Sequence, residues 1–135
     1  MALETPGERP VRPLGPLDSH YLDIEALPWK PTQVKGIDMK VLVQDKETGL
    51  LTALFRWEPG CVLPLHEHVE IEQSWVLEGS IVDAEGEARA GSRAYVWRPQ
   101  GNRHSATSGP EGALVLSFFL KPNVFIDRFA GEKLE

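Results

Sequence analysis

Apolar and polar positions alternate with a period of two along much of the chain. Ile37, Met39, Val41 and Val43 interleave with Asp38, Lys40 and Leu42, the pattern of a strand with one buried face. Asp45-Lys46-Glu47-Thr48-Gly49 reads as a hairpin turn, and Leu50 to Trp57 as a second strand ended by Glu58-Pro59-Gly60. Further strands are expected over Ile71 to Leu77, Ser80 to Asp83, Ala94 to Arg98, His104 to Ser108 and Ala113 to Leu120. Turn residues punctuate them at Gly79, Glu85-Gly86, Gly91, Pro99-Gln100-Gly101 and Gly109-Pro110. Many short strands with regularly spaced turns mean an all-β sandwich or closed barrel. No segment keeps a helical period over three turns. A short helical turn is expected near the C-terminus, over Asn123 to Ala130, where Phe125 and Phe129 stand four apart behind an Asn123 cap.

Ahead of the patterned region, Pro6, Pro10, Pro13 and Pro16 alternate with Gly7 and Gly15. Proline donates no backbone hydrogen bond and glycine loses much entropy on ordering. Residues 1–20 are therefore expected to be an arm that stays extended or disordered until it docks, and 21–135 a single barrel domain. The length of 135 residues, with 41% hydrophobic and 25% charged, fits one globular domain with its own core. The longest apolar run, Gly112 to Leu120, is broken by Ser117 and is too short to cross a bilayer. No secretory signal is readable at the start. A lone cysteine, Cys61, excludes an internal disulfide and a cysteine-based zinc site; a cytoplasmic location is expected. A net charge of −6 without a basic patch speaks against a nucleic-acid surface.

The chemistry concentrates in the histidines. Three of the four fall in two motifs: Gly60, His66, His68, Glu72 and Gly79, then Pro99, Gly101, His104 and Ser108. On a regular strand His66, His68 and Glu72 would share one face, and His104 from a neighbouring strand would complete four metal ligands. Glu70 has the same parity as Glu72, so alternation alone leaves both carboxylates open. The opposite parity is mostly apolar (Leu63, Leu65, Val69, Ile71, Trp75, Leu77), which would need cover from outside by a partner subunit or by the arm. Arg56, on an otherwise apolar strand, is either a group that binds a substrate oxyanion or orders Glu72, or half of a surface ion pair. Tyr95 and Trp97 read as core or interface, Arg98 and Arg103 as solvated, Cys61 as a small buried hydrophobe, and one of Phe118 and Phe119 as pocket lining.

The spacing Gly-(5)-His-(1)-His-(3)-Glu-(6)-Gly is met at every position by Gly60, His66, His68, Glu72 and Gly79, and it resembles the first motif of the cupin superfamily. Pro99, Gly101 and His104 resemble the second. Two departures are Gly91, two residues further from Pro99 than the motif has its glycine, and Ser108 where the motif has asparagine. The resemblance covers roughly residues 29–121. It implies a double-stranded β-helix, the cupin jelly-roll barrel, with one divalent transition metal per chain held in its mouth by His66, His68, Glu72 and His104. It also selects Glu72 over Glu70. A finer likeness runs through Trp29-Lys30-Pro31, Gly36, Lys40-Val41-Leu42, Asp45, Gly49, Thr52-Ala53-Leu54-Phe55-Arg56 and Pro59-Gly60. These residues are similar to cupins of the acetylacetone and 2,4′-dihydroxyacetophenone dioxygenase group and to the zinc-binding cupin domain of some anti-sigma factors. Those regulators carry a helical sigma-binding domain in front, which is not found in this chain.

The resemblance implies an Fe(II)-dependent dioxygenase cleaving a C–C bond of a small diketone or hydroxyketone, with Glu72 and Arg56 as candidate catalytic groups. Zinc, nickel, manganese or cobalt would suit the same donors. Acetylacetone dioxygenase uses three histidines without the glutamate, so the hydroxyacetophenone enzymes fit Glu72 better. The alternatives are a non-catalytic zinc sensing or binding cupin, and a non-redox metal-assisted isomerase or hydrolase. The expected partners are a small-molecule substrate and other copies of the chain, as a homodimer or larger homo-oligomer, with neither nucleic acid nor membrane.

Overall fold

The computed structural model describes residues 2–126. Ten strands follow in order: β1 Leu3–Glu4, β2 Lys30–Pro31, β3 Ile37–Asp45, β4 Leu51–Trp57, β5 Val62–Glu67, β6 Glu72–Val82, β7 Glu87–Arg89, β8 Tyr95–Arg98, β9 Arg103–Phe119 and β10 Val124–Phe125. One 3₁₀ turn, Ile24–Ala26, interrupts them. Every pairing between these strands is antiparallel, and together they form one curled sheet. This is the all-β barrel that the alternating pattern predicts. No helix among the described residues is long and apolar enough to cross a membrane.

The strand β9 organises the barrel. Its first half pairs with β5, His66 lying directly opposite His104, and its second half pairs with β4 over Ala113–Phe119. Its other edge carries β6 from Glu72↔Phe119 to Val82↔Thr107. The four expected segments Ile71–Leu77, Ser80–Asp83, His104–Ser108 and Ala113–Leu120 are thus two continuous strands. Gly79 and Gly109-Pro110 bend them instead of ending them. At Gly79 (φ +71°) the two backbones come so close that a Cβ would collide with the Gly112 carbonyl, which is why this motif position takes glycine.

Alternation places the chemistry. Along β6, Glu72, Ser74 and Val76 point inward while Gln73, Trp75 and Leu77 are exposed. On β9, Ser117, Val115 and Ala113 point inward beside them. The interior is therefore polar at the end where β6 begins and apolar deeper, where Ile37, Phe55, Trp57, Val76 and Val115 pack. Phe119 is the member of its pair that faces in, edge-on to Phe55 at 5.9 Å; Phe118 faces out.

Three expectations change. A β-bulge between Leu63 and His66 reverses the parity of β5, so Leu63 is core and not outer surface. The chain turns at residues 68–71, so His68 and Glu72 belong to no common strand. The helical turn expected over Asn123–Ala130 is a strand over its described part: Val124 and Phe125 pair with Glu67 and His66. The open edge of β5 offers hydrogen bonds, and the pairing buries Phe125 completely. Residues 127–135, with Phe129, lie outside the described residues. At the other end, Leu3–Glu4 pairs with Asp45–Gln44 of β3.

Replacing Gly79 with alanine is expected to destabilise the fold by at least about 2 kcal/mol, combining left-handed strain with a backbone collision. The urea unfolding midpoint measures it.

Candidate metal centre

Three imidazoles converge at the polar end of the barrel. His66 comes from β5 and His104 from the facing position on β9, and their rings lie 4.5 Å apart. His68 follows the end of β5. The turn at residues 99–102 holds it there: its amide donates to the Asn102 carbonyl (2.8 Å) and its own carbonyl accepts from Gly101 (2.7 Å). Pro99-Gln100-Gly101 therefore fixes one of these histidines, His68, and leads straight into another, His104. One nitrogen from each ring can be chosen so that all three lie within 4.8 Å of one another.

The buried polar atoms show what is missing. His66 Nδ1 donates to the Pro64 carbonyl at 2.8 Å and His104 Nδ1 to Asp83 Oδ2 at 3.0 Å, yet both Nε2 atoms are buried without a partner. His68 has neither nitrogen hydrogen-bonded. Glu72 Oε2 comes to 3.1 Å from its Nδ1, but not in hydrogen-bonding geometry. Native structures leave very few buried polar atoms unsatisfied. Burial also holds the three rings neutral: His66 and His68 are pushed down to about 4 and His104 to about 3. Arg98 adds to the effect of burial at each ring. A neutral imidazole with a free lone pair is a transition-metal ligand, so the donor set fits a divalent metal ion.

Glu72 stands beside this triad and not within it. Its Oε1 accepts from the Ser74 hydroxyl (2.9 Å), which also meets Ser117 at 2.8 Å. Burial raises its pKa, with Arg98 pulling the other way. The side chain of Asn123 is buried against both Glu72 and His68. Beyond these groups opens a cavity lined by Phe55, Trp57, Val76, Val115 and Phe119. It gives the centres of water-sized spheres about 50 Å³ of room. One water needs roughly 10–15 Å³, so this is space for a small molecule.

The remaining expected residues lie elsewhere. Arg56 is on the outer face, half exposed, 3.4 Å from Asp38 and stacked over Trp29 at 4.1 Å. It therefore reaches neither Glu72 nor the cavity, and the surface ion pair is what the structure shows. Arg98, read as solvated, takes the inner place: it is buried, with Nη1 2.9 Å from Asp83 and Nε 3.8 Å from Glu72. Nothing in the local pattern separates the two arginines, since each follows an apolar residue on a strand. Glu70 sits in the turn at residues 68–71, in no strand. Ser108 accepts from the Cys61 amide and donates to the Glu58 carbonyl, so it braces the turn between β4 and β5 and not the metal centre. Cys61 is half-buried, its thiol donating to the Lys35 carbonyl.

Comparison with known proteins agrees with this fold. A family model described as the ChrR cupin-like domain matches residues 18–123. No curated protein matches the sequence significantly. Among solved structures, a candidate acetylacetone dioxygenase from Methylibium petroleiphilum superposes with a TM-score of 0.70 at 23% identity, over 87% of each chain. An acetylacetone dioxygenase from Acinetobacter johnsonii gives 0.67 at 19%, over 93% of this chain and 90% of that one. The anti-sigma factor ChrR of Rhodobacter sphaeroides, solved with SigE, gives 0.59 at 18%, over 71% of this chain and 51% of that one.

The depressed histidines make the metal-free protein acid-sensitive. Below the ordinary value of 6.5 the unfolded chain binds protons that the buried rings refuse, so stability falls as pH drops from 6.5 toward about 4. Glu72, raised by burial, gains stability in the same direction, but one carboxyl opposes three rings. Urea midpoints of chelator-treated protein across this range are expected to decline; a flat profile would contradict the burial of neutral rings.

Proposed function

The chain belongs to the ChrR cupin-like domain family, and on that premise we propose that it is a mononuclear metal-dependent dioxygenase. Its substrate would be a small diketone or hydroxyketone, cleaved at a C–C bond. The observation that carries the reading is the set of three buried imidazoles with unsatisfied nitrogens, one of which, His104, lines a mostly apolar cavity. In this reading His66, His68 and His104 hold the metal, through Nε2 for His66 and His104. Fe(II), when bound, would supply a Lewis-acidic point of attachment for the substrate's oxygens and a route by which the substrate's electrons reach dioxygen.

The chain's own groups do the rest. Burial keeps the rings neutral and able to donate. The walls formed by Phe55, Trp57, Val76, Val115 and Phe119 take the hydrocarbon part of the substrate and exclude water. Glu72, with Oε1 engaged by Ser74, has Oε2 turned toward the imidazoles. We assign it to accept the proton from the carbon next to the substrate carbonyl, a task suited by a carboxylate raised toward neutrality. Direct ligation of the metal by Glu72 is the competing role, and one variant separates them.

The resemblance to ChrR favours a second reading, a zinc-dependent sensing domain. Elemental analysis of protein purified without chelators distinguishes them. Near-stoichiometric iron with oxygen uptake on diketones or hydroxyacetophenones supports the dioxygenase. Tightly held zinc without turnover supports the sensor. Either way His66→Ala combined with His104→Ala is expected to abolish metal content. Glu72→Gln is expected to keep the metal and lower turnover by about 10²–10⁴-fold. Loss of the metal in that variant would make Glu72 a ligand.

We also assign a second copy of this chain to the outer face of β8, β6 and β9. Trp97, Gln73 and Phe118 form one row across these strands, and Tyr95, Trp75 and Leu116 the next. The four aromatics are each about half exposed. Tyr95 donates to Gln73 Oε1 at 2.7 Å, so the hydroxyl proton and that oxygen keep a partner when the patch is buried. The aromatics alone offer about 400 Å² per copy, half of what one partner gives a standard interface. Sedimentation is expected to give a dimer of the 15.0 kDa chain, and Trp97→Glu a monomer.

A further inference from the structure

We propose that Asp83 and Arg98 form a positioning clamp that fixes His104 as the Nδ1–H tautomer, leaving the Nε2 lone pair to face the cavity. The three residues come from three places in the fold: the end of β6, the end of β8 and the start of β9. Asp83 Oδ2 accepts from His104 Nδ1 at 3.0 Å and from Arg98 Nη1 at 2.9 Å. Asp83 Oδ1 accepts from the backbone amides of Glu85 (2.8 Å) and Gly86 (3.0 Å). Four donors thus saturate the carboxylate, two on each oxygen. The side chains of Asp83, Arg98 and His104 are each more than nine-tenths buried.

An ionised carboxylate only accepts hydrogen bonds. With Asp83 charged, His104 Nδ1 has to carry the ring proton and Nε2 the lone pair. Burial works against that charge. Against it stand the Glu85 and Gly86 amides at 2.8 and 3.0 Å and the Arg98 guanidinium at 2.9 Å, all donating to the carboxylate. Arg98 therefore serves the site from behind, by keeping the orienting group ionised and pointed. His66 is fixed the same way by the Pro64 carbonyl, whereas neither His68 nitrogen has such a partner. Two imidazoles arrive preset, while His68 lies against the side chains of Asn123 and Glu72. That the preset nitrogen serves a metal rests on the reading given above; the tautomer itself does not.

The experiment uses ¹⁵N-histidine-labelled full-length protein. In metal-free wild type, long-range ¹H–¹⁵N spectra are expected to show His104 protonated at Nδ1; protonation at Nε2 would overturn the clamp. Asp83→Asn keeps the shape but lets an amide N–H face the ring, so a switch to the Nε2–H form is expected. Affinity for Zn(II) and Co(II), measured by chelator competition, is expected to fall about 10–100-fold. Asp38→Asn, which touches only the Arg56 pair, is expected to change neither. An Asp83→Asn protein with wild-type affinity and an unchanged tautomer would sink the proposal, whatever its melting temperature. If that variant does not fold, the wild-type spectrum decides. If wild type binds neither metal, the metal-centre reading fails while the spectrum still tests the clamp.

Discussion

The barrel is arranged around one costly act: three imidazoles are taken out of water and left with unsatisfied nitrogens. A buried polar atom without a partner costs about 1–3 kcal/mol, so the folded chain gains stability from anything that meets these nitrogens. The surrounding structure is what makes that tolerable. The cross-strand pair His66↔His104 is held by the ladder between β5 and β9, and His68 by the turn before β9. Phe125, delivered by β10, covers the back of His66 with ring centres 5.6 Å apart. Core, turn and C-terminal strand all support the same few cubic ångströms.

Charge is distributed with the same economy. Arg98 sits between two carboxylates, near Glu72 at the cavity and against Asp83 behind His104. A lone guanidinium or carboxylate at this depth would be strongly unfavourable, whereas paired groups become a framework. The positive charge also helps keep the imidazoles neutral. The acidic pair and the arginine are thus part of how a donor set is kept ready, Glu72 and Arg98 lining the cavity and Asp83 standing behind His104.

The converging histidines were legible because their spacing is chemistry written locally: His66 and His68 two apart, Glu72 four further on, His104 behind a Pro-Gly turn. The alternation argument reached the right neighbourhood by an incomplete route. A bulge and a turn, not one regular strand, bring His66, His68 and Glu72 together. Arg56 and Arg98 could not be told apart from sequence, because an arginine's burial depends on which strands flank it. The same limit hid Asp83, whose partners lie 15 and 21 residues away. The strand at Val124–Phe125 was missed because two residues carry no period; its formation depends on the vacant edge of β5.

The facing of His66 and His104 across a single ladder has a further consequence for the life of the protein. Their meeting depends on register, and a slip of one residue turns every side chain of a strand to the opposite face. An ion held as proposed would therefore bind the native pairing and not its neighbours, which would make it a proofreader of strand alignment. By mass action it would stabilise the folded chain in proportion to the logarithm of its free concentration. The amount of intact protein in a cell would then track the supply of that ion, independently of any reaction performed in the barrel.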